Sequence, residues 1–257
     1  MKPDQKGHLH PITQIIRAIY PVFQELGFEI ADGPELEDEF HNFDALNVPK
    51  DHPARDMQDT FWIKSNSNPK SEILNSKQIL NSNASINHPE KGERMVLRTH
   101  TSSVQIRYME NNKPPLRILV PGRVYRNEAT DATHEAQFNQ LEALYIDKNV
   151  TLAQLKGVLE AMFKRVFGND VVIRFRPSFF PFTEPSLEVD MQWKGKWLEM
   201  GGAGLVHPNV FKAVGIDPEV YQGFAFGVSP DRIAMLKFGI DDIRHLYTGD
   251  IRLINQF

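Results

Sequence analysis

The chain has no cysteine among its 257 residues. Disulfides, thiolate metal sites and cysteine nucleophiles are therefore excluded, and a cytoplasmic location is the expectation. Also missing is any run approaching the roughly 18 apolar residues of a membrane helix. The N-terminus, MKPDQKGHLHPI, lacks an apolar segment of signal-peptide length. The glycine-rich stretches contain neither G-x-x-x-x-G-K-[ST] nor a strand followed by GxGxxG, so neither standard phosphate loop is present. No histidine stands with an aspartate and a serine at triad spacing. Positive charge is not in excess: 29 Lys+Arg against 33 Asp+Glu leave a net −4, which argues against a generic nucleic-acid binder. What is there is 41% hydrophobic content, enough for a substantial core in one large α+β domain or two small ones.

Along the chain, His10 to Leu26 reads as an amphipathic helix. Pro11 suits its first turn, Ile12, Ile15, Ile16, Ile19, Phe23 and Leu26 share a face, and Gly27 stands at a C-terminal cap. Pro21 falls inside the pattern and is expected to kink or split it. A second helix is expected from Leu152 to Phe167. Residues 65–89 are rich in Ser and Asn and read as a polar surface insertion. The remaining apolar stretches, including VLRTHTSSVQIRYM, PLRILVPGRVYR, LEALYI, VVIRFRP, LEVDMQWKGKWLEMGGAG and GFAFGV, follow one another with few crossover helices. That order predicts an antiparallel sheet with helices to the side.

The segment RNEATDATHEAQFNQLE, Arg126 to Glu142, links two of these strands as a long polar hairpin loop. Arg126 is either half of a surface pair with Glu128 or a strand-anchored fork of donors for a phosphate or carboxylate. Arg232 opens a helical pattern after the glycine-flanked strand GFAFG, where a helix N-terminus favours an anion. In RPSFFPFTEPS, Phe180 and Phe182 point the same way if extended, as core or as a pocket wall. Pro177, Pro181 and Pro185 restrict that stretch to an edge or a loop. In LRTHTS, His100 and Ser102 share a face if that stretch is a strand.

Taken in order, GPELEDEFHNFDALN with HPARD, LRTHTS, GRVYRNEATDATHEAQFNQLE, FRPSFFPFTEPS, and HPNV followed by GFAFG-x-x-x-x-R resemble the catalytic α subunit of bacterial-type phenylalanyl-tRNA synthetases, which are class II aminoacyl-tRNA synthetases. The likeness runs from about His10 to Phe257, apart from the Ser/Asn-rich insert. It implies a class II α+β fold and ATP-dependent activation of phenylalanine to its adenylate, followed by transfer to tRNA(Phe). By the same resemblance, Arg126 bridges the α-phosphate and the amino acid carboxylate. Glu128, Gln140, Glu142, His100 and Ser102 face the polar end of the amino acid. Phe180 and Phe182 meet its ring, for which Ala225 and Gly227 leave room. Phe138 and Arg232 enclose adenine, His134 approaches the phosphates, and Glu184 matches a position assigned to Mg²⁺.

The resemblance further implies a β subunit partner, an α2β2 assembly, and editing on the β chain. The family's N-terminal coiled-coil arm is expected to be absent, leaving residues 1–257 as the catalytic core. A class II-like paralogue, or a core inactive without its partner, is the alternative; the aromatic FPF stretch argues against a paralogue that uses aspartate or lysine.

Overall fold

Helix α1 forms at Pro11–Glu25, begun by Pro11 at its first position and by the His10 ring, which accepts the Ile12 N–H at 3.3 Å. Its face of Ile12, Ile15, Ile19 and Phe23 is buried, and each such side chain contributes about 1.5–3 kcal/mol. Pro21 does not split it; the helix runs through as one element, held by Ile19 and Phe23 on either side. Leu26 falls past the helix and is exposed, while Gly27 closes the end at φ +78°.

The computed structural model describes residues 7–63 and 94–257; the Ser/Asn-rich stretch lies outside the described residues. The strands are β1 (Glu29–Ile30), β2 (Leu36–Asp38), β3 (Trp62–Ile63), β4 (Met95–Leu97), β5 (Leu116–Tyr125), β6 (Gln137–Asp147), β7 (Ile173–Phe180), β8 (Thr183–Trp193), β9 (Lys196–Val206) and β10 (Gln222–Val228). The further α-helices among the described residues are α2 (Ser102–Asn111), α3 (Leu152–Phe167), α4 (Pro208–Ala213), α5 (Pro230–Phe238) and α6 (Ile251–Ile254), with a π-helix at Phe40–Asp44 and 3-10 helices at Pro53–Arg55 and Ile243–Leu246. Seven strands make the main sheet in the order β1-β5-β6-β10-β9-β8-β7, antiparallel except where β1 runs parallel to β5. β2, β4 and β3 form a small separate sheet. The antiparallel α+β expectation holds, and no helix among the described residues is long and apolar enough to cross a membrane.

Both faces of the sheet are covered. Leu141, Ala143 and Tyr145 of β6 pack with α1, α3 and α5, whereas Leu144 and Ile146 point the other way, toward α2 and α4. Pro177 lies on β7, the outer edge of the sheet, and Pro181 in the turn that follows. Pro185 sits where the β8–β9 register shifts between Thr183 and Ser186. The prolines thus occupy the edge and the irregularities where a missing N–H costs nothing.

One expectation fails. LRTHTS is not a strand: β4 stops at Leu97, and Ser102 begins α2. The intervening bend takes its hydrogen bonds from side chains, with Thr99 N–H to Asn42 Oδ1 at 3.2 Å and Thr101 N–H to Gln140 Oε1 at 3.1 Å. Beneath it lies Arg98, 2% exposed. Its guanidinium donates to the carbonyls of Arg123 (2.7 Å), Gly33 (3.0 Å) and Pro34 (3.3 Å). Gly122 makes room for it, since a Cβ there would stand 2.2 Å from Arg98 Nη2. Arg98→Met should destabilise the chain by about 3 kcal/mol or more, because three carbonyls lose their donor inside the protein. Urea denaturation measures this, and an unchanged midpoint would show that the guanidinium is dispensable.

Candidate active site

Alternation along β6 places Phe138, Gln140 and Glu142 on one face. In the β6–β10 ladder Gly227 stands directly across from Glu142, and Ala225 is across from Leu144, the next residue on the same face. Phe180 covers Gly202 of β9, where an added Cβ would come within 2.8 Å of the ring. Together these form the floor of a cavity of about 850 Å³. Its wall also receives His100, Ser102 and Gln105 from the bend and α2, Arg126, Glu128 and His134 from the hairpin loop, and Arg232 from α5.

Glu142 is the most constrained of these groups. It is 4% exposed, and it accepts hydrogen bonds from Ser102 Oγ at 2.7 Å and Gln105 Nε2 at 2.6 Å. Both donors are neutral. Burial pushes its carboxyl up to about 7, against the lowering effect of the Ser102 bond and of the Arg98 charge. Gln140 is fixed beside it by the Thr101 N–H. His100 presents an enclosed Nδ1 without a partner among the described residues. Burial and then the Arg126 charge push that imidazole down to about 3, so it is neutral at physiological pH.

Arg126 follows β5 directly, and its N–H donates to Ala136 O at 2.9 Å, closing the base of the hairpin loop. Its Nη1 lies 4.0 Å from Glu128 Oε1, too long for a hydrogen bond. Nε reaches Thr99 O at 3.4 Å, and the guanidinium carbon sits 5.0 Å from the Phe138 ring centre. This is not the satisfied surface pair that the sequence left open, and most of the fork remains for a ligand. Within the loop, Asp131 accepts the N–H groups of Thr133 (2.7 Å) and His134 (2.8 Å), shaping the turn that presents His134. Arg232 stands in the first turn of α5, where Ser229 accepts its N–H at 3.3 Å, and its Nη1 donates to Glu199 O at 2.9 Å. The Phe180 and Phe182 rings lie nearly parallel, 11° apart with centres 6.0 Å apart, and His100 meets Phe182 at 6.2 Å.

Thirteen of the fourteen sequence candidates therefore line one cavity: His100, Ser102, Arg126, Glu128, His134, Phe138, Gln140, Glu142, Phe180, Phe182, Ala225, Gly227 and Arg232, while Glu184 does not. The Glu184 side chain is 73% exposed and lies 3.3 Å from His207 Nε2. Sequence reasoning missed Gln105, Gly202 and Glu199. Gln105 was legible only once Ser102 is seen to start a helix, because i and i+3 then share a face.

This arrangement defines a class II synthetase core, and a family model described as "tRNA synthetases class II core domain (F)" matches residues 1–257. A pyrrolysyl-tRNA synthetase from Desulfitobacterium hafniense shares the fold at a TM-score of 0.67 and 14% identity, over 93% of this chain and 74% of that one. The phenylalanine–tRNA ligase alpha subunit of Rhodopirellula baltica is 51% identical over 98% of this chain and 69% of its own length. Those of Synechocystis and Bacillus cytotoxicus are each 49% identical, over 98% and 100% of this chain and 68% and 70% of their own lengths. The chain belongs to the family of phenylalanine–tRNA ligase alpha subunits.

The family implies ATP and a divalent cation. Magnesium is usually held by one or two carboxylates together with substrate phosphates. Glu184 is a single exposed carboxylate beside a histidine and outside the cavity. The tight group of Glu37, Asp38 and His41 is already matched by Arg107, which donates to Glu37 at 2.6 Å and to Asp38 at 3.2 Å. Neither set fits a magnesium cage.

A carboxyl whose folded value is raised binds its proton more tightly in the native state. Its ionisation therefore removes stability as pH rises from about 4.5 to about 7. Glu142→Gln should gain on the parent chain across that window, by about 3 kcal/mol at pH 8. Denaturation at pH 5 and pH 8 measures the difference; an equal offset at both would deny the buried charge.

Proposed function

We propose that the chain activates phenylalanine with ATP and transfers it to tRNA(Phe), as the catalytic α subunit working with a β subunit in the cytoplasm. One observation carries this reading: a single cavity holds a buried carboxylate with only neutral donors, a guanidinium with donors to spare, and a pair of aromatic rings. That set complements a zwitterion with an aromatic side chain.

In this reading Glu142 and Gln140 hold the ammonium group, with Ser102 and Gln105 keeping Glu142 in place and His100 and Glu128 completing the polar end. Phe180 and Phe182 meet the substrate ring, each contact adding about 0.5–1.5 kcal/mol beyond burial. Ala225 and Gly227 leave space beneath it. Phe138 and Arg232 enclose adenine, and His134 faces the terminal phosphates. The substrate carboxylate attacks the α-phosphorus in line; the new P–O bond forms as the bond to pyrophosphate breaks. Arg126 bridges both reacting groups and takes up the growing charge. The acyl group then passes to the terminal adenosine of tRNA, and pairing of α subunits in an α2β2 assembly would complete the enzyme.

Phenylalanine-dependent ATP–pyrophosphate exchange tests the proposal, with tyrosine and aspartate as comparison substrates and with the β subunit added in a second arm. Arg126→Ala should lower the rate about 100- to 1,000-fold. Exchange driven by aspartate would point instead to a paralogue. Because only the ionised Glu142 pairs with an ammonium, phenylalanine affinity should rise about tenfold between pH 6 and pH 8. Calorimetry on the parent and on Glu142→Gln checks this; a flat profile in the parent would remove Glu142 from that role.

A further inference from the structure

Asp231 is fully buried in the first turn of α5, immediately before Arg232. An acidic residue there is usually explained by the helix dipole or by capping. In this helix the cap is Ser229, and the Asp231 carboxylate turns away to another element. The β6–β10 ladder ends at Leu141 opposite Val228. Two residues further along β6, the Asn139 N–H has no strand to meet on that side, and Asp231 Oδ2 accepts it at 2.8 Å. Asp231 Oδ1 accepts the Tyr247 hydroxyl and the Asn139 side-chain amide, the latter at 3.5 Å. The Asn139 amide also donates to the Tyr247 hydroxyl at 3.1 Å.

All three donors are neutral, and burial holds the Asp231 carboxyl above the usual range. A buried carboxylate without a cation costs stability, so its place asks for a reason other than folding. Its neighbours supply one. Asn139 lies between Phe138 and Gln140, and Asp231 precedes Arg232, so the carboxylate joins the backbones that carry the two groups proposed to enclose adenine. Tyr247 brings in the segment after α5, whose Ile243 N–H donates to Ala132 O in the hairpin loop at 2.9 Å. On its other side α5 is tied by Arg232 to Glu199 O.

Resting on the adenylation reading, we infer that Asp231 is a positioning residue for ATP: with Asn139 and Tyr247 it sets the gap between Phe138 and Arg232. It touches no substrate. The amino acid end of the cavity, around Glu142 and Phe180, lies outside this network and is expected to keep its shape when the network is cut.

Equilibrium binding of ATP and, separately, of phenylalanine to the intact chain tests the inference. Asp231→Ala should weaken ATP binding by about tenfold or more, through loss of charge-assisted hydrogen bonds, while phenylalanine binding stays within about twofold. Asp231→Asn keeps an oxygen for the Asn139 N–H and should recover ATP affinity to within about threefold of the parent. Tyr247→Phe, which loses only a hydroxyl, should fall between parent and Asp231→Ala. Equal weakening of both ligands, unchanged ATP affinity in Asp231→Ala, or failure of Asp231→Asn to rescue would overturn it. A parent chain that binds neither ligand would overturn the adenylation reading as well.

Discussion

A buried guanidinium organises one end of the cavity, beneath His100, Ser102 and Glu142. Arg98 gathers the carbonyls of Gly33, Pro34 and Arg123, joining the segment after β1 to the C-terminal end of β5. The bend that follows it carries His100 and Ser102, and it is held from above by the side chains of Asn42 and Gln140. The same charge lies within reach of Glu142, where it partly offsets the cost of a carboxylate in the interior. Remove the cation, and both the shape of the bend and the electrostatic balance of the cavity change together. Gly122 is the matching constraint on the sheet, since a side chain there would occupy the space of the guanidinium.

The cavity is assembled against the grain of stability. Glu142 and Asp231 are buried carboxylates served by neutral donors, and His100 has an enclosed nitrogen without a partner. A core built for stability alone would hold apolar groups at these points. Each of these polar groups instead faces, or adjoins, space large enough for a ligand. The apolar layers under α1 and α3 on one face and under α2 and α4 on the other supply the surplus that such groups require.

Much of this was legible in the order of residues. α1 and α3 follow from helical periodicity and their end signals, and the chain keeps the predicted limits of α3 to the residue. The hairpin around Arg126 announced itself as a polar loop between two apolar runs, and alternation alone put Phe138, Gln140 and Glu142 on one face. The bend at THTS was not legible, because its hydrogen-bond partners are side chains of Asn42 and Gln140, far away in the chain. Reading it as a strand also hid Gln105, which meets Glu142 only from a helix. Glu184 matched a motif yet stands outside the cavity, since on β8 it follows Thr183, which lines the cavity, and its own side chain is exposed beside His207. The Asp231 network joins residues 92 and 16 positions apart, and no local pattern encodes such pairs.

The strand order also governs when the site comes into existence. β10 is a late strand in the chain, yet it lies between β6 and β9 at the centre of the sheet. A growing polypeptide that has completed β5 through β9 already carries Arg126, Glu142 and both pocket phenylalanines, but has a gap where the floor belongs. Contacts of such long sequence separation form slowly and late. Inserting β10 closes the sheet, brings Ala225 and Gly227 beneath the pocket and delivers α5 in the same movement. Ligand recognition therefore arrives as a single cooperative event, and partly made chains present the chemistry of the site without its enclosure.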